Sequence, residues 1–216
     1  MNRRRALKNM GLTVGCIAAS PSLLSLMQIC RQDTTAQWEP VFFSPEEGAI
    51  LMQLADLILP KTDTPSATEV GVHRFLDKYL SEVAEVQEQQ FIKTGLGKFI
   101  ENALSNSGKE EPGDLNSDDL EPVLAASLAQ REQKAEEKMF ELLTTYNQAV
   151  VNGKPAELDE AVSRYFFASQ FRDHIIWAYK TSEFVGEQVL AYLPVPGEYI
   201  GCGELDELTG GKAWSL

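Results

Sequence analysis

Apolar positions along most of the chain recur every three or four residues, with polar positions filling the intervals. Ser44-Pro45-Glu46-Glu47 opens the first clear run: serine as N-cap, proline in the first turn, and glutamate three residues on to close a capping box. Ile50, Leu51, Leu54, Leu57 and Ile58 then share one helical face, and Pro60 ends the run. The spacing predicts a second helix from Thr68 or Glu69, with Val72, Phe75, Leu76, Tyr79, Leu80 and Val83 inward. A third helix presents Ile92, Leu96, Phe99, Ile100, Ala103 and Leu104. Residues 105–116 (SNSGKEEPGDLN) interrupt the pattern and read as a mobile acidic loop. Ser117-Asp118-Asp119 is expected to cap a long fourth helix. Its Leu120, Leu124, Leu128, Met139, Leu142, Leu143 and Tyr146 face inward, and its charged middle, 130–138, is a solvated face. The final helical block, 158–193, is the most aromatic, with a break expected near Lys180-Thr181-Ser182-Glu183, where Ser182 can cap a fresh helix. No alternating strand pattern and no internal repeat occurs. The fold class is all-α: a single compact domain of five or six amphipathic helices.

The last helix must stop at Leu193. Pro194 and Pro196 lack amide protons, and Pro196-Gly197 has the residue order of a type II turn. Beyond the helix the chain becomes an extended, Pro-rich C-terminal arm. Composition favours an arm folded back on its own core. The other reading is an arm that docks on a second protein, with Tyr192, Pro194, Pro196, Tyr199 and Ile200 as its contact residues.

Residues 2–8, Asn2-Arg3-Arg4-Arg5-Ala6-Leu7-Lys8, have the form of a twin-arginine export signal, with Arg3 and Arg4 as the pair. The apolar stretch behind them is diluted by Gly11, Gly15, Ser20 and Pro21, and is too broken for a transmembrane helix. A basic tail leading into a core helix is the alternative. The expected organisation is a leader over 1–30, a linker over 31–43 and a helical domain over 44–216. The expected location is the periplasm, with membrane association through an uncleaved leader or through a complex. This route exports proteins that are already folded, typically around an inserted cofactor, so it raises the question of where the cofactor is.

Charge narrows the partners. The chain carries a net −13, and residues 1–30 contain four basic side chains and no acid, so the remainder is more acidic still. Such a body repels nucleic acid and anionic lipid surfaces. Candidate chemistry is sparse. Gly95-Leu96-Gly97-Lys98 lacks the glycine a phosphate loop needs at 92, and Gly210-Gly211-Lys212 has Asp206 at the corresponding place. His73 and His174 have no metal-ligand spacing, although Glu69 and Asp77 flank His73 at helical distance. Asp63 is expected to bond loop amides rather than to act as a base. Three cysteines, none closely paired, make no disulfide framework, iron–sulfur site or haem motif. No residue is assigned as catalytic, cofactor-binding or metal-binding.

Two segments, LPKTDTPSATEVGV (59–72) and WAYKTSEFVGEQVLAYLPVPGEYIGC (177–202), together resemble the gluconate 2-dehydrogenase subunit 3 family, over most of the chain after about residue 40. Thr62, Asp63, Thr64, Pro65, Ala67, Gly71 and Val72 match, while Ser66 stands where the family commonly has glycine. The resemblance implies a non-catalytic small subunit of a membrane-associated dehydrogenase complex. Its large partner would be a flavoprotein of the glucose-methanol-choline oxidoreductase type, which binds FAD and oxidises sugars or sugar acids. A cytochrome c subunit would collect the electrons. No cofactor is expected in this chain, which would support the flavoprotein's maturation and its export by the twin-arginine translocase. Two readings stand apart from the resemblance: an independent periplasmic enzyme using a carboxylate site, and a membrane-tethered scaffold.

Overall fold

Ser44 Oγ accepts the Glu47 amide at 3.2 Å while the Glu47 carboxylate accepts the Ser44 amide at 2.8 Å. The capping box read from sequence therefore forms, and helix α1 spans Pro45–Ile58. The computed structural model describes residues 38–154, 156–195, 197, 200 and 202–215. The leader with Arg3 and Arg4, and Pro196 and Tyr199 of the arm, lie outside them. Pro40–Leu216 forms one compact unit.

Helix α2 spans Val72–Glu82, starting later than Thr68 or Glu69. The Asp56 carboxylate accepts both the amide and the hydroxyl of Thr68, at 2.9 and 2.6 Å, holding that residue in the turn. Gly71 then reverses the chain at φ 77°, a left-handed conformation suited to glycine. Helix α3, Val86–Ser107, ends at Gly108 with φ 71°. The acidic loop behind it is tied down rather than mobile. Lys109 Nζ donates to the Asp114 carbonyl at 2.8 Å and to Asp119 at 2.5 Å, and Leu115 is buried beyond a 3-10 turn at Pro112–Asp114.

Asn116, not Ser117, caps α4 (Ser117–Leu128), closing its own box with Asp119. The long fourth helix expected from sequence is two helices, α4 and α5 (Gln133–Val151). Arg131 sits in the break and donates to the carbonyls of Ser127 and Ala129 at 3.0 and 2.9 Å, closing the C-terminal end of α4. Helix α6 spans Glu160–Lys180, with Asp159 accepting the Ala161 and Val162 amides. The break expected after it occurs. Ser182, however, donates its hydroxyl back to the Tyr179 carbonyl at 2.7 Å instead of capping, and one π-helical turn, Val185–Val189, comes next. A short α7, Leu205–Thr209, completes the unit. Among the described residues there is no named strand, and the all-α class holds.

Helix α6 lies at the centre, against α1, α2, α3 and α4, with α5 on its outer side. Its buried residues spread around the helix, from Val162 and Phe166 to Phe171, Ile175 and Ala178, as required of a helix packed from several directions. Its closest approach is to α3. A Cβ built on Gly95 would lie 2.6 Å from Phe167 Cβ, so the glycine of the false phosphate loop is a packing glycine. Gly95→Ala is accordingly expected to cost about 1–3 kcal/mol by overpacking. Gly97→Ala, where nothing lies within 4 Å, should be neutral or stabilising through better helix propensity. Denaturant unfolding of the two variants side by side checks the pair.

Helix α5 departs from expectation. None of its residues is buried. Met139, Leu143 and Tyr146 are half-buried, Leu142 is exposed, and Phe140 and Val151 stand largely in solvent. The break at 129–132 resets the helix axis, so the register that places Leu120 and Leu124 inward does not continue through α5.

Candidate functional site

Because α5 stands off the body, a cleft of about 910 Å³ opens between it, α6 and Phe91 of α3. At one end the Arg131 guanidinium lies 4.5 Å above the centroid of the Tyr165 ring. The Tyr165 hydroxyl donates to Glu136 at 2.7 Å. That hydrogen bond holds the phenol above the usual tyrosine range, and burial adds to the shift. At the other end His174 Nε2 lies 3.1 Å from Glu88, which also accepts from Gln170 at 3.3 Å. Trp177 edges against Phe75 and Tyr79 at ring separations of 5.2 and 5.4 Å. Each of these polar groups thus already has a partner: Glu136 the Tyr165 hydroxyl, His174 Glu88, and Arg131 the Ser127 and Ala129 carbonyls.

The other candidates disperse. His73 is buried, and desolvation pushes its pKa down to about 4, aided by Arg74 and opposed by Asp56 and Asp77. It is therefore neutral near pH 7. The carboxylates that flank it in sequence serve elsewhere. Glu69 pairs with Lys61 at 2.5 Å and accepts the Ser66 amide, while Asp77 accepts the amides of Val41, Phe42 and Phe43 at 2.7, 2.9 and 3.1 Å. Asp63 is exposed, and the loop bonds expected of it are made by Asp56 and Glu69. Tyr179 reaches the same loop from α6, donating to the Pro65 carbonyl at 2.8 Å. The family-like turn is thereby fixed to the central helix as a structural element. Among the described residues no three His, Cys, Asp or Glu side chains gather as a metal site, and no helix is long and apolar enough to cross a membrane.

Among the described residues, the arm carries several exposed large apolar side chains. Beyond the π turn the chain leaves at Leu190, passes Tyr192 and Pro194, and returns through α7. It closes where the Ala191 amide donates to the Ala213 carbonyl at 2.8 Å and the Ser215 amide to the Ala191 carbonyl at 2.9 Å, a single parallel bridge between Ala191 and Trp214. The arm is thus a closed loop. Of the predicted contact residues, Tyr192 is 51% exposed, and Pro194 and Ile200 are also exposed. Val195 is 78% exposed and Trp214 46%. Phe184, from the aromatic block before the arm, is also exposed, and sequence reasoning missed Leu205, Leu208 and Trp214, which are exposed as well. Leu205, Leu208 and Trp214 sit outside any long periodic run, so helical spacing could not single them out.

Residues 45–197 match the family model of gluconate 2-dehydrogenase subunit 3. No curated protein and no solved structure is matched by the chain. The matched span begins at the first residue of α1, takes in the turn that Tyr179 anchors and the whole of the central helix, and runs into the exposed arm. It covers well over half the sequence, and the chain belongs to the gluconate 2-dehydrogenase subunit 3 family.

Proposed function

We propose that this chain is the non-catalytic accessory subunit of a dehydrogenase complex that oxidises a sugar or sugar acid. It pairs with a glucose-methanol-choline-type flavoprotein that holds the FAD, with a cytochrome c subunit taking the electrons. It brings the twin-arginine leader, Arg3 and Arg4, that carries the pair folded to the periplasm. Family membership across the helical unit is the observation that carries this reading. The arm supports it, because a surface holding Tyr192, Pro194 and Ile200 in solvent suits a partner better than a core. Purifying the tagged chain from native membranes should bring a large subunit with a flavin absorption spectrum. Recovery of the chain alone would overturn the reading.

Within the arm, Tyr199→Ala is expected to weaken the complex by about 1–3 kcal/mol while leaving the helical domain's own stability unchanged. Paired measurements of affinity and thermal unfolding decide this. A loss of stability without a loss of affinity would assign Tyr199 to this chain's core.

Among the described residues, the cleft is a feature that favours an independent enzyme, since it gathers Glu136, Tyr165, Arg131 and His174. These groups already have partners: Tyr165 and Glu136 each other, His174 Glu88, and Arg131 main-chain carbonyls. On that ground the accessory reading is preferred.

A further inference from the structure

The closed loop has a charge as well as an apolar surface. Residues 191–215 contain Glu198, Glu204, Asp206 and Glu207 against one basic residue, Lys212, and Glu183 and Glu187 sit on the turn that leads into them. The loop holds Tyr192, Leu193, Val195, Leu205 and Trp214 exposed, and Phe184 is exposed on the turn before it. Among the described residues of the loop, Glu204, Asp206 and Glu207 are exposed along with these greasy side chains, and the loop is pinned: by the Ala191–Trp214 bridge, and by Ser215, whose Oγ would lie 3.0 Å from a Cβ on buried Gly186. Closure restricts the loop before any partner arrives, so less freedom is lost on binding. Part of the loop, residues 198–215, lies beyond the span matched by the family.

Three occupants could cover such a surface. A second copy would bring two like-charged loops face to face, which opposes pairing. An anionic lipid surface is repelled for the same reason. A protein surface of the opposite sign meets both features at once.

We propose that the loop 191–215, with the turn 183–190 that leads into it, docks on a protein surface built as an apolar hollow bordered by lysine and arginine, carried by the partner subunit. This rests on the complex reading above and adds the chemistry of the surface that receives the chain. Apolar side chains supply the buried centre of the contact, and the acids set its orientation and speed of encounter.

The test uses the full-length chain and the large subunit that co-purifies with it. The variant Glu204→Lys with Glu207→Lys reverses two exposed charges, and Glu204→Gln with Glu207→Gln removes them. Wild-type affinity should fall as salt rises, because rim charges are screened within about 10 Å at 0.1 M salt. The lysine pair should bind at least about tenfold more weakly at low salt, with a flatter salt dependence, and the glutamine pair should fall between. Trp214→Ala should weaken binding at every salt concentration. Thermal unfolding of each variant alone should match wild type, since these side chains are exposed. Wild-type affinity in both the lysine pair and Trp214→Ala overturns the proposal while leaving the complex intact. So does a Trp214→Ala variant that melts early yet binds normally, which makes the loop a lid. A dimer of the free chain that Trp214→Ala dissolves, or loop-dependent binding to phosphatidylcholine vesicles, replaces the protein partner with a second copy or a membrane. If wild type brings no large subunit, this proposal falls together with the reading it rests on.

Discussion

Replacing Arg3 and Arg4 with lysine is expected to abolish export of this chain while leaving the leader's charge unchanged. The two residue types share a charge but little else. A guanidinium is a planar fork of donors suited to bidentate recognition, whereas an ammonium is a compact, strongly hydrated point charge. A receptor that reads the pair by geometry rejects lysine, while one that reads only positive charge accepts it. Because the flavoprotein is proposed to travel with this chain, its flavin should also accumulate in the cytoplasm. Cell fractionation, with immunodetection of the chain and flavin absorbance in each fraction, measures both effects. Unchanged periplasmic levels would remove the twin-arginine assignment. Loss of the chain alone, with the flavoprotein still exported, would keep the leader and sink the shared export.

Asp77→Asn is expected to destabilise the helical unit by about 2–4 kcal/mol. Asp77 is 2% exposed, on the inner face of α2, and its two oxygens accept three successive amides from the segment entering α1. Those amides form an anion-binding concavity of the kind that successive main-chain N–H groups make. An asparagine keeps the size but presents one oxygen and one donor. One or more amides then face an N–H group and lose their partner, at the greatest cost where the Phe43 bond is buried. The neighbouring contacts should loosen as well. Lys93 lies over the Phe42 and Phe43 rings at 5.0 and 5.2 Å and pairs with Glu47 at 2.6 Å, all on this same entry segment. Thermal unfolding gives the total, and amide exchange at 41–43 gives the location. Normal protection there in the variant would show that the carboxylate is not what holds the segment.

Legibility from sequence tracked the range of the interactions involved. Ser44 and Glu47 sit three residues apart, so their capping box needs nothing beyond local backbone and forms as read. Pro60 beyond α1 and Gly108 at the end of α3 act through their own backbone and are legible for the same reason. The two segments that suggested the family, 59–72 and 177–202, belong to structures that meet, since Tyr179 bonds the Pro65 carbonyl. A pattern kept in both is more telling than either alone.

The break between α4 and α5 had no such signal. Ala129, Gln130, Arg131 and Glu132 are ordinary helix formers in place of the glycine or proline that usually marks a stop. The helix ends there with Arg131 turned back onto its last carbonyls and resting on Tyr165, thirty-four positions further on. That long-range contact also opens the cleft and leaves the apolar side of α5 half-covered.

By itself, then, the sequence determined the helical class, the start and stop of α1, the acidity of the body and the family, because each is carried by neighbouring residues or by composition. The tertiary structure decided the roles that need a distant partner. Gly95 is a packing glycine only because Phe167 lies against it, Asp77 is an anchor only because three amides arrive from 41–43, and the arm is a closed loop only because Ala213 and Ser215 return to Ala191. Local preferences encode dihedral angles over a few residues, and these contacts are made only when the chain has already packed.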